Sequence, residues 1–175
     1  MTILFLLVFT RSIVQVTFTQ FLPLYLRAHR GFSLPAAGYA LAAFMTGATL
    51  GGLVGGNLAD RFGGRRVIIA STFLTTPLLA VFLLGSGAWS MAALVVGGMV
   101  LALTNPVNII MAQRLAPAQS GTVSALMMGF AWGTAGLLFI PLTGRIADHY
   151  SLHAAFCALI CVPVVSCFLS LKVPK

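Results

Sequence analysis

The chain offers few side chains that could do covalent chemistry. Its 175 residues include only two acids, Asp60 and Asp148, and three histidines. His149 and His153 are one helical turn apart, but too few further ligands accompany them to complete a zinc or di-iron centre. The cysteines all fall in the last apolar stretch, at Cys157, Cys161 and Cys167. Catalysis requires several titratable groups brought together, so the sequence predicts no enzyme, no catalytic residue and no metal site.

Polar side chains inside apolar segments are better placed for binding chemistry. Arg11 lies about halfway along the first apolar stretch, with Gln15 one turn later on the same helical face. A charge at the centre of a membrane costs at least about 2.5–3.5 kcal/mol, so it normally faces a cavity or a partner. A later apolar stretch carries three more polar residues around Pro106, which can open the helix backbone: Thr104, Asn105 and Asn108.

We expect Arg11, Gln15 and these three residues to line a substrate cavity. An arginine in such a cavity would attract an anionic substrate, such as a phosphonate. Two alternatives remain open. Arg11 either pairs with a carboxylate from outside this chain or extends to the membrane surface.

Composition indicates the kind of scaffold that must position these side chains. Apolar residues make up 59% of the chain and charged residues 7%, whereas a typical soluble domain has about 25% charged residues. A soluble protein with this balance could not cover its surface with polar groups, so we predict an integral membrane protein in contact with the lipid bilayer. The net charge of +8 reflects scattered bases and missing carboxylates, and no nucleic-acid partner is expected.

Six apolar stretches are long enough to cross a membrane as helices, since one crossing takes about 20 residues. The predicted spans cover residues 2–25, 33–58, 67–84, 89–114, 120–143 and 153–171. The main polar connections are predicted at 27–31, 60–66 and 145–150. The sequence therefore predicts an all-α membrane protein in which residues 1–175 form a single six-helix transmembrane bundle.

A short motif recurs at an offset of 88 residues, from Gly56 to Gly144. Residues 56–60 read GNLAD after the second span, and residues 144–148 read GRIAD after the fifth. An odd number of helices per repeat places the two copies on opposite faces of the membrane, which is the inverted 3+3 arrangement of several transporter folds. We predict one repeat over about 1–87 and the other over about 88–175.

Basic residues in loops indicate orientation, because they concentrate on the cytoplasmic side. With a cytoplasmic N-terminus, the inner loops and the tail would hold Arg61, Arg65, Arg66, Arg114, Lys172 and Lys175. The outer loops would hold Arg27, Arg30 and Arg145. Six bases against three predict that the N-terminus is cytoplasmic.

The segment after the second span has a specific pattern, GNLADRFGGRR over residues 56–66. It resembles the signature loop of the major facilitator superfamily, in which a glycine, an acid, a base, a second glycine and two further bases stand at fixed spacing. Each specified position is filled here, by Gly56, Asp60, Arg61, Gly63, Arg65 and Arg66.

The resemblance implies that Asp60 and Arg61 stabilise one access state of a rocking transporter. Asp60 can pair with Arg61 or with the N-terminal end of a neighbouring helix, and such a contact forms only when two helices are close. The alternative is a basic anchor on anionic lipid head groups, which is the role we expect for Arg65 and Arg66.

Four other segments, 112–117, 121–124, 129–133 and 147–149, resemble the C-terminal half of fosmidomycin-resistance-type exporters. The Gly-Pro pair usual in the fifth helix of N-terminal exporter halves is absent, because Ile140 precedes Pro141. The resemblance implies that this chain is one half of a major facilitator fold in a bacterial inner membrane. A second six-helix half would come from the same polypeptide or from a separate chain.

Small residues form stripes at helical spacing on two spans, which allows close helix packing in lipid. They are Gly47, Gly51 and Gly55 on the second span, and Gly121, Ala125, Gly129 and Gly133 on the fifth. The resemblance implies that both helices meet the opposite half. Packing within this bundle is the alternative.

Together these features predict a secondary active transporter that exports a small, drug-like, anionic molecule by alternating access. We expect that no cofactor is needed. We also expect that transport is coupled to a proton gradient. Because Asp60 and Asp148 both sit at helix ends, a coupling carboxylate would have to come from the other half. The alternative is a stand-alone six-helix membrane protein, acting as a self-associating scaffold or as a transporter fragment without activity.

Overall fold

A computed structural model describes residues 2–171, and all regular structure in this part of the chain is helical. The helices are α1 (Thr2–Arg30), α2 (Leu34–Phe62), α3 (Gly64–Leu84), α4 (Gly87–Ala102), α5 (Thr104–Leu115), α6 (Ser120–Ser124), α7 (Ala131–His149) and α8 (Leu152–Ser170). A short 3-10 helix, Pro117–Gln119, precedes α6, and a π-helical segment, Ala125–Phe130, joins α6 to α7.

These helices form six spans that are long and apolar enough to cross a membrane. The first three spans are α1, α2 and α3, and the fourth combines α4 and α5 over Gly87–Leu115. The fifth runs over Pro117–His149 and the sixth over Leu152–Leu171. The predicted all-α class and the predicted number of spans are confirmed. Lys172 and Lys175, which enter the orientation prediction, lie outside the described residues.

Three predicted connections are wrong in their boundaries. Helix α1 continues to Arg30, through most of the expected loop at 27–31, and α7 continues to His149. Only Gly63 separates α2 from α3, so the expected loop at 60–66 is almost entirely helical. Gly63 has a φ of 87°, which glycine adopts without steric cost. Hydropathy marks where a chain leaves the apolar layer, whereas backbone hydrogen bonds continue the helix into the polar boundary.

The spans pack in a symmetric pattern. The second span packs on the fourth and the first on the fifth, while the third packs on the fourth and the first on the sixth. The third and sixth spans pack on each other, as do the first and fourth. Exchanging the first three spans with the last three reproduces the same pairs, as two structural repeats would. The repeat boundary near residues 87 and 88 stays a prediction.

The first span lies at the centre of the packing. Phe18 of α1 is fully buried, and its ring contacts Phe44 of α2, Phe82 of α3 and Phe156 of α8 at centroid distances of 5.9, 6.1 and 4.9 Å. Aromatic rings at such separations add attraction to their apolar burial. This cluster fixes the position of α1, and therefore also that of Arg11, against three neighbouring helices.

We expect the Ser151→Ala variant to be less stable than the parent by about 1 kcal/mol, because the cap of α8 is lost. The Ser151 hydroxyl accepts a hydrogen bond from the backbone N–H of Ala154 at 3.0 Å. Ser86 precedes α4 but makes no such side-chain bond, so Ser86→Ala is the matched control. Thermal unfolding in detergent measures both, and equal shifts for the two variants would contradict the capping role.

Candidate substrate cavity

Arg11 lies inside the bundle, with a side chain only 5% exposed. Its Nε donates to the carbonyl of Leu101 at 3.1 Å. Its terminal nitrogens donate to Oδ1 of Asn105 and Oε1 of Gln15. The structure therefore brings together three of the predicted site residues, from the first and fourth spans.

The positive charge of Arg11 is held by neutral oxygens alone. Its three acceptors are one carbonyl and two amide side chains. The two carboxylates of the chain, Asp60 and Asp148, are exposed near the ends of α2 and α7. Within residues 2–171, each nitrogen of the guanidinium thus donates one hydrogen bond, and the group lacks a counter-ion.

The fourth span is interrupted where Arg11 meets it. Pro106 has no N–H for the carbonyl one turn earlier, and regular α-helix is interrupted for the single residue Leu103, which keeps helical dihedral angles. Just before the break, the carbonyl of Val100 accepts the hydroxyl of Ser71. The carbonyl of Leu101 accepts Nε of Arg11. The carbonyl oxygen of Leu101 carries a partial negative charge, which favours a cation at this point.

A cavity of about 420 Å³ opens beside Arg11, between the first, fourth and fifth spans. Its lining residues are Val8, Arg11, Asn105, Pro106, Ile109, Met127, Met128 and Trp132. A mainly apolar wall with a few convergent polar groups is typical of sites for small organic molecules. The arrangement suits a compact ligand with one anionic group and an apolar body.

Gln15, Thr104 and Asn108 do not line this cavity, and their assignment to a substrate site stays a prediction. The side chain of Gln15 lies behind the wall and orients Arg11 instead. Thr104 and Asn108 are one turn apart on a buried face of α5, whereas Asn105 and Ile109 share the face toward the cavity. Neighbouring residues of a helix point about 100° apart, so only one of these two pairs faces the cavity.

The fifth span contributes three wall residues that the sequence did not identify: Met127, Met128 and Trp132. Both methionines lie in the π-helical segment Ala125–Phe130. Such segments are frequent at functional sites, because the extra residue per turn redirects side chains. Residues 127–132 are all apolar, as in any core or lipid-facing helix. The sequence therefore does not distinguish them as residues of a cavity wall.

The two glycine stripes have different surroundings. A Cβ at Gly51 or Gly55 would collide with the backbone of Met99 or Leu103, so the second-span stripe packs against the fourth span of the same bundle. A Cβ at Gly47 would likewise collide with the backbone of Val95. On the fifth span, nothing lies within 4 Å of an added Cβ at Gly121, Gly129 or Gly133, and these residues are exposed.

The signature motif lies at the end of the bundle where the second and fourth spans terminate. Asp60 and Arg61 occupy the last turn of α2, and both are exposed, as is Arg66 in α3. Nη2 of Arg65 donates to the carbonyl of Leu171 at 3.1 Å, at the end of the sixth span. At Gly56, no neighbouring atom of the described residues lies within 4 Å of an added Cβ.

A bundle of six apolar helices, packed as two structural repeats and holding a cavity beside a buried arginine, is the architecture of a transporter half. A family model described as Major Facilitator Superfamily matches residues 4–175. The chain belongs to this superfamily.

Two relatives are about one-third identical to the chain. The Fosmidomycin resistance protein of Escherichia coli (strain K12) is 31% identical over 155 residues, covering 89% of this chain and 38% of the relative. The Probable nitrate/nitrite transporter NarK2 of Mycobacterium tuberculosis (strain CDC 1551 / Oshkosh) is 33% identical over 163 residues, covering 79% of this chain and 41% of the relative. The chain thus spans less than half the length of these relatives.

Solved transporters have the same fold. The major facilitator transporter FucP in its outward conformation matches with a TM-score of 0.81 at 17% identity, over 99% of this chain and 42% of that one. The inward-open xylose transporter XylE from E. coli matches with a TM-score of 0.74 at 19% identity, over 99% of this chain and 46% of that one. The predicted architecture, one half of a major facilitator fold, is confirmed.

Proposed function

We propose that this chain forms one half of a secondary active transporter that exports a small, drug-like anion by alternating access. The observation that carries the proposal is the unneutralised charge of Arg11 beside the cavity. A buried charge without a counter-ion is costly, so an anion that enters the cavity gains from the charge that is already fixed there. The hydrogen bonds to Gln15 and Asn105 hold the guanidinium in place before the substrate arrives.

The names of the relatives support two parts of this proposal, the export of a drug and the anionic charge of the substrate. One is named for resistance to a drug, fosmidomycin, which supports export. Another is named as a probable transporter of nitrate and nitrite, which are anions. The apolar wall formed by Met127, Met128 and Trp132 supports a substrate that carries an organic body as well as a charge.

A second six-helix half is part of the proposal, because alternating access requires two bundles that move around one site. The fifth span supports it. Only 22% of its most apolar 18-residue stretch is buried, against 56% for the first span. Nothing within the described residues lies within 4 Å of an added Cβ at Gly129 or Gly133. We place the complete carrier in a bacterial inner membrane with the N-terminus of this chain in the cytoplasm, driven by a proton gradient.

The test uses the native polypeptide that contains this chain, expressed in a bacterium from which its own fosmidomycin exporter has been deleted. We expect higher resistance to fosmidomycin than with an empty vector. We also expect accumulation of labelled fosmidomycin in inside-out vesicles that collapses when an uncoupler removes the proton gradient. Nitrate and organic phosphonates should compete, whereas neutral and cationic drugs should not.

A different result would favour the alternative function. If the protein reaches the membrane but vesicles accumulate neither fosmidomycin nor nitrate, the anion-export proposal fails. Cross-linking between copies of the chain through cysteines placed at Gly129 and Gly133 would then favour the self-associating scaffold. Absence of both transport and cross-linking would favour a fragment without activity.

A further inference from the structure

A second cavity, of about 750 Å³, lies at the end of the bundle where α2 gives way to α3 and the fourth span ends. Three of its lining residues are arginines: Arg65 and Arg66 from the first turn of α3, and Arg114 from the last turn of α5. Neither aspartate of the chain lines it. It shares no lining residue with the cavity beside Arg11.

The three guanidinium groups retain donors for a ligand. Nη2 of Arg65 is bonded to the carbonyl of Leu171, but its Nε is buried without a partner. Arg66 and Arg114 are exposed. Guanidinium groups recognise phosphate oxygens through paired, charge-assisted hydrogen bonds, so the chemistry of this cavity suits a phosphate group.

The rest of the wall is apolar and continues onto the membrane-facing surface. Phe62 is 60% exposed and Leu115 is 52% exposed, and Ile69 of α3 adds to the apolar part of the lining. Phe62 and Leu115 are the last residues of α2 and α5, and Ile69 lies in the second turn of α3. A free phosphate would use only the arginines, whereas a phospholipid would use both parts of the wall.

We propose that this cavity binds the head group of an anionic phospholipid. Arg65, Arg66 and Arg114 hold its phosphate, and an acyl chain lies against Phe62 and Leu115. Basic pockets between transmembrane helices are suited to anionic head groups. Arg65 and Arg66 alone, at the connection between the second and third spans, would give only a general attraction to anionic membranes. Arg114 from the fourth span completes a defined site with them. It does not depend on which substrate the Arg11 cavity takes.

The test is titration of the purified full polypeptide in detergent with phosphatidylglycerol, followed by native mass spectrometry. The double variant Arg66→Gln/Arg114→Gln should lower phosphatidylglycerol affinity about 30-fold, since each basic residue near a membrane surface contributes about 1 kcal/mol of attraction. The matched control, Arg27→Gln/Arg145→Gln, removes two equally exposed arginines from the opposite end of the bundle and should leave affinity unchanged.

Two further comparisons separate the possible outcomes. Arg66→Lys/Arg114→Lys preserves both charges but loses the paired hydrogen bonds of the guanidinium groups, so its affinity should fall between those of the parent and the glutamine variant. On the parent protein, phosphatidylglycerol should bind more tightly than phosphatidylcholine, and inorganic phosphate at equal concentration should not displace it. Equal binding of the two lipids, displacement by inorganic phosphate, or unchanged affinity in the glutamine variant would each overturn the proposal.

Discussion

Replacing Arg11 by glutamine is expected to lower the rate of anion transport at low substrate concentration by roughly 10- to 150-fold. This factor corresponds to the free energy of one hydrogen bond to a charged group, about 1.5–3 kcal/mol. Glutamine still bonds to neighbouring amides, so the fold should persist while the charge is lost. The measurement is the initial rate of fosmidomycin accumulation in inside-out vesicles, normalised to the amount of protein. Arg145→Gln, which removes an exposed arginine at the end of α7, is the control and should transport normally.

A second variant separates the charge of Arg11 from its packing. Asn105→Asp keeps the shape of the side chain but places a carboxylate against the guanidinium. The charge is then neutralised inside the protein, so anion transport should fall as it does in Arg11→Gln. Thermal stability should stay equal or rise, because a paired buried charge costs less than an unpaired one. Normal transport by Asn105→Asp would show that the net charge of Arg11 does not recruit the substrate.

The Gly51→Ala variant is expected to lose roughly 1–3 kcal/mol of stability, which is typical of overpacking at a tight contact. A Cβ at Gly51 would lie against the backbone carbonyl of Met99, closer than real Cβ atoms approach. The obstacle is backbone, so no side chain can rotate away, and the second and fourth spans must separate. The measurement is the midpoint of thermal unfolding in detergent, followed by fluorescence-detected size-exclusion chromatography.

Gly52→Ala is the matched control on the same helix. Nothing lies within 4 Å of an added Cβ at Gly52, and alanine is favoured over glycine in a helix. This variant should therefore be as stable as the parent or slightly more stable. Similar losses in Gly51→Ala and Gly52→Ala would mean that the close approach of the second and fourth spans does not limit stability.

Much of the architecture could be predicted from the sequence because it depends on local properties. The length and hydropathy of the apolar stretches predict six spans, and the signature pattern from Gly56 to Arg66 predicts the superfamily. The contact between Arg11 and Gln15 follows from a spacing of four residues on one helix. Each of these features depends on residues that are close to one another in the sequence.

The tertiary structure alone decided which faces meet. It selected Asn105 over Thr104 and Asn108 as the fourth-span side chain that accepts a hydrogen bond from Arg11, and it packed the stripe of Gly51 against the fourth span of the same bundle. Nearly every position of an apolar span can face either lipid or protein. The rotation of each helix about its axis is therefore set by packing against neighbours that are distant in sequence.

The same reason explains the residues that sequence reasoning missed. Met127 and Trp132 reach the cavity wall because of a π-helical segment in the fifth span, and Arg114 joins Arg65 because the fourth span ends beside the start of α3. Local hydropathy determined that these segments are membrane helices. Their ends and rotations, and hence both cavities, were decided by contacts between spans.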